Sequence, residues 1–226
     1  VLYDPLRWYD FTRASATAQF WRPEYVASRA RTFLNPARKT WNDLEEGNIP
    51  QGIKRVTAYL GALRDTANAV AVFSGAPLAE RRLLMELPAR AAAAGLSGLF
   101  ADFVSLFTSS EVSDENFTAW VSSYVGIFEA LKQSTTAPVS LSPYRRGYYE
   151  KALNALYPHS PAAAVWLMVY TWTKAAAALP RTEQPYKDWQ ELCRQLDLES
   201  RDLPTRLELF DAVLDTVEEA VDHLSA

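Results

Sequence analysis

Residues 161–179 read PAAAVWLMVYTWTKAAAAL, 19 residues with a single charge, Lys174. A helix that crosses a bilayer needs about 20 consecutive apolar residues. Seven of these 19 are Ala, a weak hydrophobe, and Lys174 would be held inside the hydrocarbon. The stretch is therefore expected to be a helix buried on most sides by other parts of the protein, with no role in a membrane.

The flanking sequence supplies the covering helices. Val26, Ala30, Phe33, Ala37, Trp41 and Leu44 recur every three or four residues. So do Ile53, Val56, Leu60, Leu63, Ala67 and Val70, then Phe117, Val121, Tyr124, Phe128 and Leu131, and finally Leu207, Phe210, Leu214, Val217, Val221 and Leu224. That spacing lays apolar side chains along one stripe of an α-helix. No alternating stretch of strand length stands out, although Val1-Leu2-Tyr3 would fit the tail of one. The expected fold is all-α, a multi-helix bundle of about nine or ten helices near 5–13, 23–46, 50–74, 79–94, 97–108, 114–133, 143–156, 161–179, 185–196 and 204–225. Ser97, Ser142 and Ser160 are candidate N-caps. Gly47, Gly75 and Gly95 suit the left-handed position after a helix. Pro36 should kink the first long helix. The segment QSTTAPVSL (133–141) reads as a linker between a bundle of 1–132 and one of 142–226, two parts short-linked enough to pack together or to form one domain.

Composition narrows the function classes. The chain of 226 residues is 49% apolar and 22% charged, with a net charge of −4, which suits a globular protein and not a disordered one. An acidic pI near 5.3 gives no overall attraction to phosphate backbones, so direct nucleic-acid binding is not expected. One Cys excludes a disulfide framework, and with no basic, apolar leader at the start the expected setting is reducing and cytoplasmic. Charge is unevenly placed. Residues 1–40 carry seven Lys and Arg against three Asp and Glu, and residues 190–226 carry three against ten. Glu208, Asp211, Asp215, Glu218 and Asp222 form an acidic stripe on the last helix, either a solvated face or one that meets a cationic ligand or a basic surface.

Signatures of catalysis are missing. There is no G-x-S-x-G, and His159 and His223 lie far apart with no H-x-x-x-H and no paired Cys. Three polar clusters remain. Arg64 and Asn68 are one turn apart before the apolar run 69–73, where a buried amide either ties helices together or lines a pocket. Tyr144, Arg145, Arg146, Tyr148 and Tyr149 open a helix, where bases and aromatics can hold a phosphate or a nucleotide base or simply pack. Trp41 and Glu45, one turn apart, read by default as a core aromatic beside a surface acid. With Lys174, the candidate substrate-binding residues are Trp41, Glu45, Arg64, Asn68, Tyr144, Arg145, Arg146, Tyr148 and Lys174.

Val1-Leu2-Tyr3-Asp4-Pro5, Phe33-Leu34-Asn35-Pro36-Ala37-Arg38, the segment WNDLEEGN (41–48), and Asn68 with Gly75-Ala76-Pro77-Leu78-Ala79-Glu80-Arg81-Arg82 resemble the helical C-terminal region of a bacterial nucleotidyltransferase-like family. The likeness covers roughly residues 1–135. The family's catalytic half carries a Gly-Ser pair and a D-x-D motif that holds Mg²⁺, and neither occurs here. The resemblance thus implies an accessory domain that is not catalytic alone. Mg²⁺ and a nucleotide are expected only with an N-terminal catalytic domain of the same polypeptide, the expected partner. In related aminoglycoside-modifying enzymes this part helps to bind the acceptor, so a small-molecule acceptor, a polycation facing the acidic stripe, is also implied. The alternative is a helical protein-interaction module without small-molecule activity.

Overall fold

A computed structural model describes residues 7–108, 112–199 and 203–224. The Val1–Pro5 segment, and with it the strand tail considered above, lies outside the described residues. Among those described there are ten α-helices and no strand. They are α1 (Trp8–Phe20), α2 (Pro23–Glu45), α3 (Ile53–Ala71), α4 (Leu83–Ala93), α5 (Leu99–Ser105), α6 (Asp114–Ala130), α7 (Arg146–Leu156), α8 (Pro161–Ala176), α9 (Gln184–Gln195) and α10 (Leu203–His223). The fold is an all-α multi-helix bundle. No described helix is long and apolar enough to cross a membrane.

Thirteen of the sixteen residues of α8 are buried, and the helix touches α3, α4, α6, α7 and α9. This is the burial its sequence requires. Its two central threonines do not break the apolar environment. Thr171 donates back to the carbonyl of Leu167 at 2.6 Å, and Thr173 accepts from Trp189 Nε1 at 3.0 Å. Trp166 is fully buried against Phe103, Phe107 and Tyr170, and its Nε1 has no hydrogen-bond partner.

The two stretches on either side of the expected linker share one apolar core. The linker itself is fastened down. Leu141 is buried, Ser134 Oγ donates to the carbonyl of Ala178 at 2.8 Å, and the Tyr149 hydroxyl donates to the carbonyl of Ser140 at 3.0 Å. Three short 3₁₀ turns, Leu131–Gln133, Val139–Leu141 and Pro143–Arg145, take up residues expected to belong to flanking helices or loop.

Several local expectations change. α1 extends seven residues beyond the expected end at 13. Neither Ser142 nor Ser160 caps through its side chain, and α5 starts after Gly98, not Ser97. The serine that does cap is Ser113, whose Oγ accepts from the Asn116 backbone N–H at 3.2 Å. Gly47 and Gly95 have positive φ as expected, but Gly75 does not. At Gly75 a Cβ would fall 1.7 Å from Arg90 Nη1, so the end of the Arg90 side chain would have to swing aside. Pro36 does not interrupt α2, which runs through it from Pro23 to Glu45 with Leu34 and Ala37 buried in the core; the bend expected there is a separate property. Packing there outweighs the one backbone bond that proline forfeits.

The ends of the chain are drawn together by charge. Arg38 on α2 donates to Asp211 and Asp215, and through Nε and Nη2 to the two oxygens of Glu218, each at 2.9 Å. Arg31 reaches Asp222 at 2.9 Å. The hydrogen bonds that Arg38 donates to Glu218, with help from both aspartates, raise its pKa despite partial burial. The acidic stripe therefore meets basic side chains of its own α2. At the other end of α10 the buried Arg206 donates to the carbonyls of Leu106 (3.1 Å) and Leu196 (2.9 Å), just past the ends of α5 and α9. Those carbonyls have no partner within their own helices, and a cation complements that end of a helix.

Two stability predictions follow from these contacts. Ser113→Ala should cost about 1 kcal/mol in chemical denaturation, whereas Ser160→Ala should change stability by no more than a few tenths. Arg38→Met leaves three carboxylates facing one another. It should destabilise by about 1–3 kcal/mol at low salt, and by visibly less in molar salt.

Candidate functional site

Four of the sequence candidates come together where α3, α7, α8 and the turn before α4 meet. Arg64 projects from α3, Lys174 from α8, and Arg145 and Tyr148 from the start of α7. The centre of the group is Glu80, in the turn. Lys174 Nζ donates to Glu80 Oε1 at 3.2 Å and lies 5.0 Å from the centre of the Tyr170 ring. Arg64 donates through Nη1 to the Tyr170 hydroxyl at 2.7 Å, and through Nε and Nη2 to Asp65 Oδ1 at 2.9 and 2.7 Å. Arg81 donates to the Tyr148 hydroxyl at 3.2 Å, with its guanidinium 5.6 Å from that ring. Tyr148 packs edge-on against Tyr149, whose hydroxyl also interacts with Arg145.

Helix periodicity explains why these groups share one face. Tyr170 and Lys174 are one turn apart on α8, as are Arg64 and Asn68 on α3. Asn68 itself does not face solvent. It is buried, and its Oδ1 accepts from the Leu78 backbone N–H at 2.6 Å. That bond ties the turn carrying Glu80 and Arg81 to α3, so Asn68 positions the site and does not line it.

The electrostatics follow from this packing. Burial alone would raise the Glu80 carboxyl, but its own backbone hydrogen bond, Lys174 and the Arg64 charge together hold it below its ordinary 4.5. Burial works against the Arg64 charge, and Asp65 and Tyr170 more than compensate. Burial, then the nearby Glu80 charge, raises Tyr149.

The remaining candidates fall elsewhere. Trp41 Nε1 donates to the Leu207 carbonyl at 2.8 Å, and its ring lies 5.3 Å from the Arg38 guanidinium, so it joins α2 to α10. Glu45 is exposed at the last turn of α2. Tyr144 is 99% exposed, and Arg146 approaches Glu129 at 4.0 Å. The sequence reading passed over Asp65, Glu80, Arg81 and Tyr170. Glu80 and Arg81 stand in a turn with no periodicity to mark them, although the four-residue step from Tyr170 to Lys174 was visible.

Other chemistry is sparse. No group of His, Cys, Asp and Glu among the described residues is placed to hold a metal ion. Cys193 is buried, which pushes its thiol pKa well up and removes it as a nucleophile. A cleft of about 770 Å³ between α6, α7 and α8 is floored by Phe117 stacked on Tyr157 and contains none of the candidate residues. At the opposite extreme, α1 has no buried residue, and Trp8, Tyr9, Phe11, Phe20, Trp21 and Tyr25 on and beside it are 39–67% exposed. It is fastened by Arg29, which donates to the Phe20 carbonyl at 2.7 Å and lies over the Phe20 ring at 3.9 Å.

Because the folded Glu80 pKa is depressed, its ion pair contributes stability above 4.5 that is lost as pH falls through the folded value. Glu80→Gln should therefore be less stable than the parent at pH 7, and the gap should narrow as pH falls below 4.5, as read by urea denaturation across that range. No protein-family model, no curated protein and no solved structure matches this chain.

Proposed function

We propose that this chain is the accessory, ligand-binding helical domain of a nucleotidyltransferase-like protein and is not catalytic alone. The observation that carries the reading is the gathering of Arg64, Arg145, Tyr148 and Lys174, from three separate helices and an adjoining turn, around Glu80 on one face. Fixed side chains of both signs, held by a buried amide behind them, suit a wall that orients a small polar molecule. Mg²⁺ and the transferred nucleotide belong to a catalytic domain that the resemblance places ahead of these helices. A small-molecule acceptor would be held between the two. α1 follows directly on the Leu-Tyr-Asp-Pro segment, and its uncovered aromatics offer that domain a seat. The buried Cys193 thiol fits a reducing, cytoplasmic setting.

For the acidic stripe, the resemblance implied contact with a polycationic acceptor. A polycationic acceptor would have to displace Arg38 from Asp211, Asp215 and Glu218. The acceptor contact is placed instead on the face around Glu80.

A second reading, a helical interaction module without small-molecule activity, is favoured by the exposed aromatics of α1 alone. The two separate in one experiment. The chain is incubated with Mg²⁺, nucleoside triphosphates and amine or hydroxyl acceptors, and pyrophosphate release is followed; amide NMR spectra are recorded with the same small molecules. The expected result is no transfer, with shifts clustered at residues 64, 80, 148 and 174. Mg²⁺-dependent turnover would overturn the non-catalytic reading, and spectra unmoved by every small molecule would favour the interaction module.

A further inference from the structure

We infer that the face around Glu80 binds the phosphate groups of an anionic small molecule through Arg64, Arg81, Arg145 and Lys174. This rests on the reading of that face as a ligand wall and adds the chemical class of the ligand.

Charge balance carries the inference. Four cations, Arg64, Arg81, Arg145 and Lys174, gather with two carboxylates, Asp65 and Glu80. Asp65 is engaged by Arg64 and Glu80 by Lys174. The groups that meet Arg81 and Arg145 are phenols, those of Tyr148 and Tyr149. A phenol accepts a hydrogen bond without cancelling the charge. The face thus carries an excess of two positive charges on a protein whose net charge is −4. Several bases elsewhere are matched by acids, as Arg38 is by three and Lys39, Arg82 and Arg194 each are by one, while Arg29 and Arg206 are engaged by backbone carbonyls.

The geometry suits phosphate. A guanidinium offers paired N–H groups that match two phosphate oxygens, and the ammonium of Lys174 is a compact charge already held in place by Glu80 and the Tyr170 ring. Arg81 and Arg145 are exposed, so both can turn toward a ligand without unpacking the core. Tyr148 is 48% exposed beneath Arg81, which gives a nucleotide base a ring to rest on beside its phosphates.

The test titrates the chain with tripolyphosphate, ATP and spermine, without metal, by isothermal calorimetry and amide NMR. Saturable tripolyphosphate binding is expected, weakening as salt rises and falling at least tenfold in Arg81→Gln/Arg145→Gln. Lys187→Gln/Arg194→Gln, which removes the same two charges from the exposed face of α9, should leave it unaltered. ATP binding more tightly than tripolyphosphate would assign the ligand as a nucleotide; equal affinity would assign the phosphates alone. Both variants alter exposed side chains, and circular dichroism checks that they fold. Tripolyphosphate binding equal in parent and double variant would overturn the inference. Spermine shifting the Glu80 amide with no phosphate binding would overturn the anionic class while leaving the ligand wall standing. No binding of any of the three would remove the wall as well.

Discussion

A helix that is apolar around its whole circumference is stable in water only when other chain surrounds it. α8 imposes that condition here, and the placement of its neighbours answers it. α3 and α4 cover it from the first part of the sequence, and α6, α7 and α9 from the remainder. Because α8 carries Tyr170 and Lys174 at its C-terminal half, whatever encloses it also decides what surrounds those two polar groups. The face around Glu80 is thus a by-product of burial, formed where the wrapping helices leave Lys174 partly exposed near the end of α8.

The polar atoms admitted to this interior do structural jobs that apolar residues cannot. Asn68 holds a turn in place with a side-chain amide. Arg206 donates to the carbonyls at two helix ends, that of Leu196 and, alongside the Tyr59 hydroxyl, that of Leu106. An unmet buried carbonyl costs about 1–3 kcal/mol, the scale of what the contact to Leu196 avoids. Both residues explain why the turns around the bundle can be irregular and still be fixed.

The architecture was legible because it depends on periodicity. The stripes of α2, α3, α6 and α10, and the featureless apolar run of α8, each identify a helix without reference to any other part of the chain. The ends were less so. Ser97 and Ser160 look like caps, yet the cap that forms is at Ser113, because the backbone path into a helix depends on the neighbour it packs against. For the site, Arg64, Asn68 and Lys174 were recognisable one at a time as polar residues in apolar surroundings. Their meeting was not, since it depends on how α3 crosses α8, and Glu80 lies in a turn that carries no pattern. The same limit hid the salt-bridge cluster. An excess of bases near the start and of acids near the end was plain, but nothing in the order of residues says that Arg38 faces an aspartate 173 positions away.

That separation has a consequence for how the protein is made. The α2–α3 pair can assemble as soon as it is synthesised, because its contacts are local. The face of α2 that carries Arg31, Arg38 and Trp41 must wait for α10, almost the whole length of the chain later. During translation this surface stays uncovered for the time needed to add about 170 residues, roughly 10–30 s at cellular elongation rates. Its guanidinium groups carry like charge, so two nascent half-bundles repel one another at this surface until the acidic helix arrives to close it.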